Sequence, residues 1–226
     1  MTEYYPIFLK LKDKLCLVIG GGRVAERKVL SLLKCGAKVK VISPELTPKL
    51  KDLFEKGEII WEKRPYKKGD LERAFLVIAA TNDPVVQKEV FKEAEEKNIP
   101  CNVVDKPEYC SFIVPSTIER GELVIAISTS GASPALARRL REFLETTFGK
   151  EYEIYLSLMR RIREKILKME LSSEEKEEKL QRLALSPLPI YLKYGDFELI
   201  KTILEKEGFS ELISDFFSSD KASKDT

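Results

Sequence analysis

Histidine is absent from all 226 residues of the chain. That removes the side chain whose ordinary pKa lies nearest neutrality and the commonest metal ligand, so proton transfer falls to carboxylates, lysine, tyrosine or cysteine. An excess of one charge is also missing. The 39 Lys and Arg face 37 Asp and Glu, a net +2 that gives no electrostatic reason to expect a nucleic-acid or membrane partner. No apolar run approaches the roughly 18 residues of a membrane span, and the opening MTEYYPIFLKLKDK lacks the basic-then-apolar order of a signal peptide. Cys16, Cys35, Cys101 and Cys110 form no C-x-x-C pair, which argues against a disulfide framework and points to reduced, buried thiols in a cytoplasmic protein. No metal site is expected. Repeats and low-complexity segments are lacking too.

What the chain does have is the length for a proper core, 43% hydrophobic content, and strands alternating with helices. Residues 15–19 are a short apolar run ending at glycine, and Val24, Ala25, Val29, Leu32 and Leu33 come after it at near-helical spacing. Gly36 stands where a helix end favours glycine, and 37–42 (AKVKVI) alternates as a strand leading to Ser43 and Pro44. A helix over 48–56 and a short strand at 59–61 come next. Residues 74–80 (AFLVIAA) are apolar throughout, as a central parallel strand covered on both faces is. Thr81, Asn82 and Asp83 supply a cap for a helix from Pro84 to about 97, and 99–104 (IPCNVV) is a strand ending at Asp105. The alternation predicts an α/β fold, with an open, mostly parallel, Rossmann-type sheet over 1–112.

From Phe112 the pattern changes. FIVPSTIERGELVIAIST reads as two antiparallel strands joined at Arg120 and Gly121, and Ser133 caps a helix that starts at Pro134 and carries Leu136, Leu140 and Leu144 four apart. Residues 113–150 thus form a small α+β region. Beyond it the pattern is helical, with a helix over 152–169, a capping box from Ser172 to Glu175 and short helices around Pro187, Pro189 and Gly195. Residues 151–226 are a helical C-terminal region with a polar, frayed tail over 218–226.

Gly20, Gly21 and Gly22 join the first strand to the first helix. Without a Cβ the chain can turn tightly and approach a pyrophosphate closely, while the N–H groups opening the helix point at its charge. Read as G-x-G-x-x-A, Gly20 makes the turn, Gly22 lies beside the phosphates and Ala25 lets helix and strand pack. The acidic residue expected about 20 positions on is missing, because the second strand ends at Ser43 and the nearest carboxylate is Glu45. Ser43 or Glu45 is left to hydrogen-bond a ribose. No Arg or Lys occupies 43–47 to attract a 2′-phosphate, so NAD is expected rather than NADP, although Arg23 in the loop argues the other way. A glycine turn that binds nothing is the plain alternative. Asp105 lies just past a strand's carboxyl end, where ligands bind in open α/β sheets, and would serve as a base if partial burial raised its pKa. Its alternative is a turn residue before Lys106 and Pro107.

The stretches PIFLKLKDKLCLVIGGGRVAERK, VIAATNDPVVQKEV and NVVDKPEYCSFIVPSTIERGELVIAISTSGASPALARRLRE resemble precorrin-2 dehydrogenase, the N-terminal module of siroheme synthases, over residues 6–142. The resemblance implies NAD-dependent oxidation of precorrin-2 to sirohydrochlorin on the route to sirohaem, by a homodimer whose second region interlocks with its partner. It implies a stand-alone dehydrogenase, without the fused methyltransferase domain of the long siroheme synthases. Arg23 and Val24 match its cofactor contacts after the glycine loop, Pro44 and Glu45 those after the second strand, and Asp105 its essential carboxylate. Thr81 and Asn82, at the end of the fourth predicted strand, join the cofactor set by position.

Precorrin-2 is ringed by carboxylates. Ser128, Thr129, Ser130, Gly131 and Ser133, running into a helix N-terminus, offer donors for them, and Arg138, Arg139 and Arg141 offer bidentate forks. Arg138 and Arg141 share a helix face while Arg139 is turned aside, so Arg138 is the candidate; a capped surface helix is the alternative. Two other activities stay open. Some relatives insert iron into sirohydrochlorin, a task commonly assisted by His, for which Asp105, Glu108 and Cys110 are the local substitutes. The other is a non-catalytic NAD(H)-sensing module. Cys110 has no adjacent base in the sequence and is read as a packing residue.

Overall fold

A computed structural model of the chain describes residues 4–213 and divides it into two compact units, Met1–Val114 and Pro115–Thr226. In the first unit the elements run β1 (Leu15–Ile19), α1 (Arg23–Lys34), β2 (Lys38–Ile42), α2 (Pro48–Glu55), β3 (Ile59–Glu62), β4 (Leu76–Ala79), α3 (Pro84–Glu96) and β5 (Cys101–Val103), with a 3-10 turn at Pro107–Tyr109 after the last strand. The strands make one sheet in the order β3-β2-β1-β4-β5, every pairing parallel. β4 is buried along its whole length between neighbours on both sides, which is why no polar residue interrupts it. β5 is an edge strand shorter than the apolar run around it. Pro100 has no N–H to donate and joins the ladder only through its carbonyl, which accepts from the Val77 N–H (2.9 Å).

Caps set the helix starts. The Thr47 hydroxyl accepts from the Leu50 N–H (3.3 Å) at the head of α2, and Asp83 accepts from the Val85 and Val86 N–H groups (2.8 and 3.3 Å) at the head of α3. Of the three polar residues before Pro84, Asp83 is therefore the cap. Strand register decides which loops meet. Ile19 lies opposite both Ile42 and Ala79, and Ala79 lies opposite Val103, so four strands end level. The chain order reverses between β1 and β4, which makes their shared carboxyl edge a topological switch point.

One buried carboxylate ties the long connection between β3 and β4 to the sheet. Glu93 on α3 is 1% exposed and accepts from the Tyr66 hydroxyl, the Gly69 N–H (2.8 Å) and the Leu71 N–H (3.3 Å). Its position inside a helix that otherwise alternates charged and apolar residues gave no sequence sign of burial. Cys16 and Cys101 are buried as expected, but Cys35 is exposed, because it occupies the turn in which α1 ends.

In the second unit, β6 (Ser116–Arg120) and β7 (Leu123–Ile127) form an antiparallel hairpin that turns at Gly121 and Glu122, one residue later than expected. Gly121 takes the left-handed φ of +59° that the turn needs. Then come α4 (Pro134–Thr147), α5 (Glu151–Lys168), α6 (Ser173–Ala184), α7 (Leu188–Tyr194) and α8 (Phe197–Lys206). The last four helices enclose a separate core that includes Leu158, Ile162, Ile166, Leu188, Leu204 and Phe209. The capping box forms at the head of α6, where the Ser172 hydroxyl accepts from the Glu175 N–H (3.2 Å) and the Glu175 carboxylate accepts from the Ser172 N–H (2.8 Å). The stripe on α4 does not pack as its spacing suggests. Leu136 and Leu140 are 48% and 39% exposed, and small Ala137 is the residue the helix buries. The expected fraying of 218–226 falls outside the described residues.

Replacing Glu93 by Ala leaves the Tyr66 hydroxyl and two backbone N–H groups without their acceptor. Urea unfolding should show a loss on the order of 3 kcal/mol. Burial and the adjoining Glu93 carboxylate push the Tyr66 phenol well above its ordinary value. A group raised in this way adds stability that is complete below its unfolded pKa, about 10, and lost as pH climbs beyond it. Unfolding free energy should decline above about pH 10, and less steeply in Tyr66→Phe; equal slopes would exclude Tyr66 as the titrating group.

Candidate active site

Because Ile42, Ile19, Ala79 and Val103 end their strands at one level, the segments 20–22, 43–47, 80–83 and 104–110 line the carboxyl edge of the sheet. The glycine loop makes the tightest approaches. Gly20 has a φ of +115°, and a Cβ on it would stand 2.4 Å from the Ala80 carbonyl oxygen. A Cβ on Gly21 would stand 1.9 Å from the Glu45 carbonyl oxygen, and the Gly21 carbonyl accepts from the Thr47 N–H (3.0 Å). The middle glycine, left free in the G-x-G-x-x-A reading, is thus required by the loop after β2. Gly22 differs from both. Apart from its chain neighbours, no described atom lies within 4 Å of the place its Cβ would take, and it heads α1 without a side-chain cap. The opening N–H groups of α1 thus have no side-chain acceptor at the cap, and the space beside Gly22 is open, a combination that suits an anion such as a pyrophosphate. Ala25, fully buried, packs where a small side chain was expected.

Around this cradle the other expected cofactor residues take different positions. Ser43 is 7% exposed; its hydroxyl donates to the Glu45 carbonyl (2.8 Å) and its own carbonyl accepts from the Trp61 indole N–H (2.9 Å). It shapes the loop, while Pro44 and Glu45 are exposed. Arg23 is exposed and Val24 half-buried at the start of α1. The Thr81 carbonyl accepts from the Gln87 side-chain amide (2.7 Å) and its hydroxyl from the Asp83 N–H (3.3 Å), with exposed Asn82 between. A cavity of about 520 Å³ is lined by Arg23, Glu26, Arg27, Thr47 and Pro48, with the Thr47 hydroxyl donating to Glu26 (2.5 Å). Glu26 and Thr47 were not legible as a pair in the sequence, because a separation of 21 residues hides their contact.

Asp105 comes after β5 at the third position of a turn closed by the Lys106 N–H on the Val103 carbonyl (3.2 Å), with a φ of +61°. Asp adopts this left-handed conformation more readily than most side chains. The residue is exposed, so the partial burial anticipated for a base is not provided by this unit. The 3-10 turn after it is pinned by Tyr109 stacked on Phe91, ring centres 4.9 Å apart. Burial pushes the Cys16 thiol up to about 11 and that of Cys101 up to about 12, which keeps both protonated and unreactive.

In the second unit the loop 128–133 folds on itself. The Ser128 hydroxyl accepts from the Ser130 N–H (3.0 Å), the Thr129 hydroxyl from the Ser133 N–H (3.1 Å), and the Ser133 hydroxyl caps α4 through the Leu136 N–H (3.3 Å). Ser130 and Gly131 have φ of +51° and +84°, and the space around Gly131 is open. Arg138 pairs with Glu142 (2.9 Å) and Arg141 with Glu145 (2.6 Å), each four residues on, whereas Arg139 has Phe143 at that position and no carboxylate partner among the described residues. Helix-face geometry applied to the arginines alone left these glutamates out. Among the described residues no group of three or more Cys, Asp or Glu is placed to hold a metal ion, and no helix is long and apolar enough to cross a membrane.

The strand order, the glycine loop at the switch point and the open cradle at the head of α1 define a Rossmann-type dinucleotide-binding protein. Comparison with known proteins narrows the class. The family described as putative NAD(P)-binding matches residues 7–116, and the family described as sirohaem biosynthesis protein, central, matches 120–147. A siroheme synthase of Methylobacillus flagellatus is 49% identical over 150 residues, 66% of this chain and 32% of that protein. One from Thioalkalivibrio sulfidiphilus is 38% identical over 204 residues, 90% of this chain and 42% of that one. Among solved structures, SirC, a precorrin-2 dehydrogenase, superposes with a TM-score of 0.74 at 28% identity, covering 83% of this chain and 92% of its own. Through residues 7–147 the chain belongs to the sirohaem-biosynthesis family, carrying its NAD(P)-binding and central segments. It spans about a third of the length of most of the curated relatives it matches.

The glycines offer a paired test of the cradle. Gly22→Ala, which meets no protein atom, should keep the native thermal midpoint but weaken NAD binding about tenfold or more in calorimetry. Gly21→Ala should lower the midpoint itself, since its clash is with backbone. Undiminished NAD affinity in Gly22→Ala would place the pyrophosphate elsewhere.

Proposed function

We propose that the chain catalyses the NAD-dependent dehydrogenation of precorrin-2 to sirohydrochlorin in sirohaem biosynthesis, as a cytoplasmic homodimer. The observation that carries this reading is the shared edge of the sheet. Ala79 lies opposite both Ile19 and Val103, so the glycine loop and the Asp105 turn flank the end of one strand. The likeness to siroheme synthases and to a precorrin-2 dehydrogenase supports it.

The reaction removes a hydride and a proton from a reduced ring and leaves a carbon–carbon double bond. NAD, when bound, supplies the hydride acceptor. The chain's own groups do the rest. The N–H groups opening α1, with Gly20, Gly22, Arg23 and Val24, would hold the cofactor's pyrophosphate. Pro44 and Glu45, the exposed residues after β2 on a loop whose shape Ser43 sets, would contact the cofactor's ribose. Thr81 and Asn82 close the groove after β4. The Asp105 carboxylate receives the proton, and its exposure before substrate binds leaves it open to the ring. Ser128, Thr129, Ser130, Gly131 and Ser133 offer donors to the substrate's carboxylates, with Arg138 as the charged fork and Arg139 beside it in sequence.

The homodimer is supported by exposed apolar surface on the second unit. Leu136, Leu140 and Phe143 make a stripe along α4 at spacings of four and three, with Phe143 65% exposed, and Val124 on β7 is exposed as well. A second copy that covers this stripe removes it from water.

Asp105→Asn keeps the size and turn preference of the residue and removes its basicity. Turnover of precorrin-2, monitored anaerobically as NADH formation, should fall at least about a hundredfold with NAD affinity unchanged; turnover near the native rate would end the assignment. Phe143→Glu should move the sedimentation coefficient toward that of a monomer, and an unaltered dimer would show that this stripe lies outside the interface.

A further inference from the structure

The turn that presents Asp105 is bridged by a side chain the reaction itself does not use. Cys110 places its Sγ 3.3 Å from the Val103 nitrogen, 3.3 Å from the Val103 carbonyl oxygen and 3.2 Å from the Lys106 carbonyl oxygen. Its partners therefore stand two residues before Asp105 and one residue after it. Neighbouring contacts extend the bridge into a seam along the free edge of β5. The Ser111 hydroxyl accepts from the Cys101 N–H (2.8 Å), the Ser111 N–H donates to the Cys101 carbonyl (2.8 Å), and the Asn102 amide donates to the Phe112 carbonyl (3.0 Å). β5 needs such support, since it is three residues long and pairs with β4 alone.

We propose that Cys110 is a positioning residue for the dehydrogenation, its thiol bridging Val103 and Lys106 so that the Asp105 carboxylate stays at the carboxyl edge of the sheet. The inference rests on the reading of Asp105 as proton acceptor. Burial holds the thiol above its ordinary pKa, which keeps the S–H proton available to a carbonyl, while the Val103 N–H donates to the sulfur. The size of sulfur matters too. Contacts at 3.2 and 3.3 Å suit a thiol reaching three backbone atoms at once, whereas a hydroxyl bonds best near about 2.8 Å and would satisfy fewer of them.

The test compares the full chain with Cys110→Val, similar in size and without the S–H, and with Cys110→Ser. Three readouts are taken: hydrogen exchange at residues 104–106, NAD affinity, and kcat with KM for precorrin-2. Cys110→Val should exchange these amides about tenfold faster and lose between about ten- and a hundredfold in kcat, as a displacement near 1 Å costs. NAD affinity should be unchanged, and Cys110→Ser should recover part of the lost kcat, since a hydroxyl satisfies fewer of the three contacts. Native kcat in Cys110→Val would overturn the proposal. So would a loss of kcat without faster exchange at the turn, or one matched by a loss of NAD affinity. Full turnover by Asp105→Asn would remove the reading beneath the proposal, and is told apart from failure of the bridge by the exchange measurement, which does not depend on turnover.

Discussion

Backbone meets backbone at the carboxyl edge of the sheet, and the site exists because two glycines permit it. The turn after β1 lies against the end of β4 at Gly20 and against the loop after β2 at Gly21, at separations no Cβ would survive. These approaches arise from register, since β2, β1, β4 and β5 all end at one level and the loops after them must share the same narrow strip. With the turn held on both sides, α1 starts at a fixed place, uncapped by any side chain and with open space beside Gly22. The open space at the head of α1 is thus a consequence of how closely three loops can be packed, before any side chain contributes.

The acid sits on weaker ground than the cradle. The cradle rises from β1, which has a neighbour on each side, while Asp105 comes after an edge strand of three residues. Edge strands have half the ladder bonds of central ones, and the chain answers this with side chains. Ser111 and Asn102 pair the returning segment to β5, Tyr109 stacks on Phe91 of α3, and Cys110 closes the turn from within. These contacts fix the turn in which Asp105 stands, where the sheet's own ladder gives least support. The same residues that look like ordinary packing in the sequence are thus what shapes the turn after β5.

The second unit shows the opposite arrangement, with polar groups turned inward on their own loop and apolar ones left outside. Hydroxyls of Ser128, Thr129 and Ser133 are engaged with local N–H groups, so the loop keeps its shape while its outer surface stays open. Glutamates four residues on take up Arg138 and Arg141. Such surface pairs are weak enough to exchange, so neither guanidinium is locked in place. The outward stripe of Leu136, Leu140 and Phe143 is a surface that one copy of this unit does not cover.

Much of this was legible in the residues. Apolar runs of period two and helical spacing, with Pro84, Pro134 and their caps, define the elements of the sheet and hairpin because local propensity and burial pull the same way there. The glycine run and Asp105 were visible as candidates, since a glycine turn between strand and helix has few other uses. What stayed hidden depended on partners far along the chain. Gly21 is constrained by Glu45, Glu26 is held by Thr47, Glu93 is buried by Tyr66 and the backbone of 69–71, and Cys110 reaches back to Val103. The α4 stripe misled for the same reason, because spacing tells which residues share a face and not what that face meets. The sequence by itself determined the order of strands and helices, the glycine turn and the acid at a strand's end, all of which are local properties of the chain. Only the tertiary structure decided which loops touch and which side chains are buried or paired, because those outcomes depend on distances between residues that sequence separation does not encode.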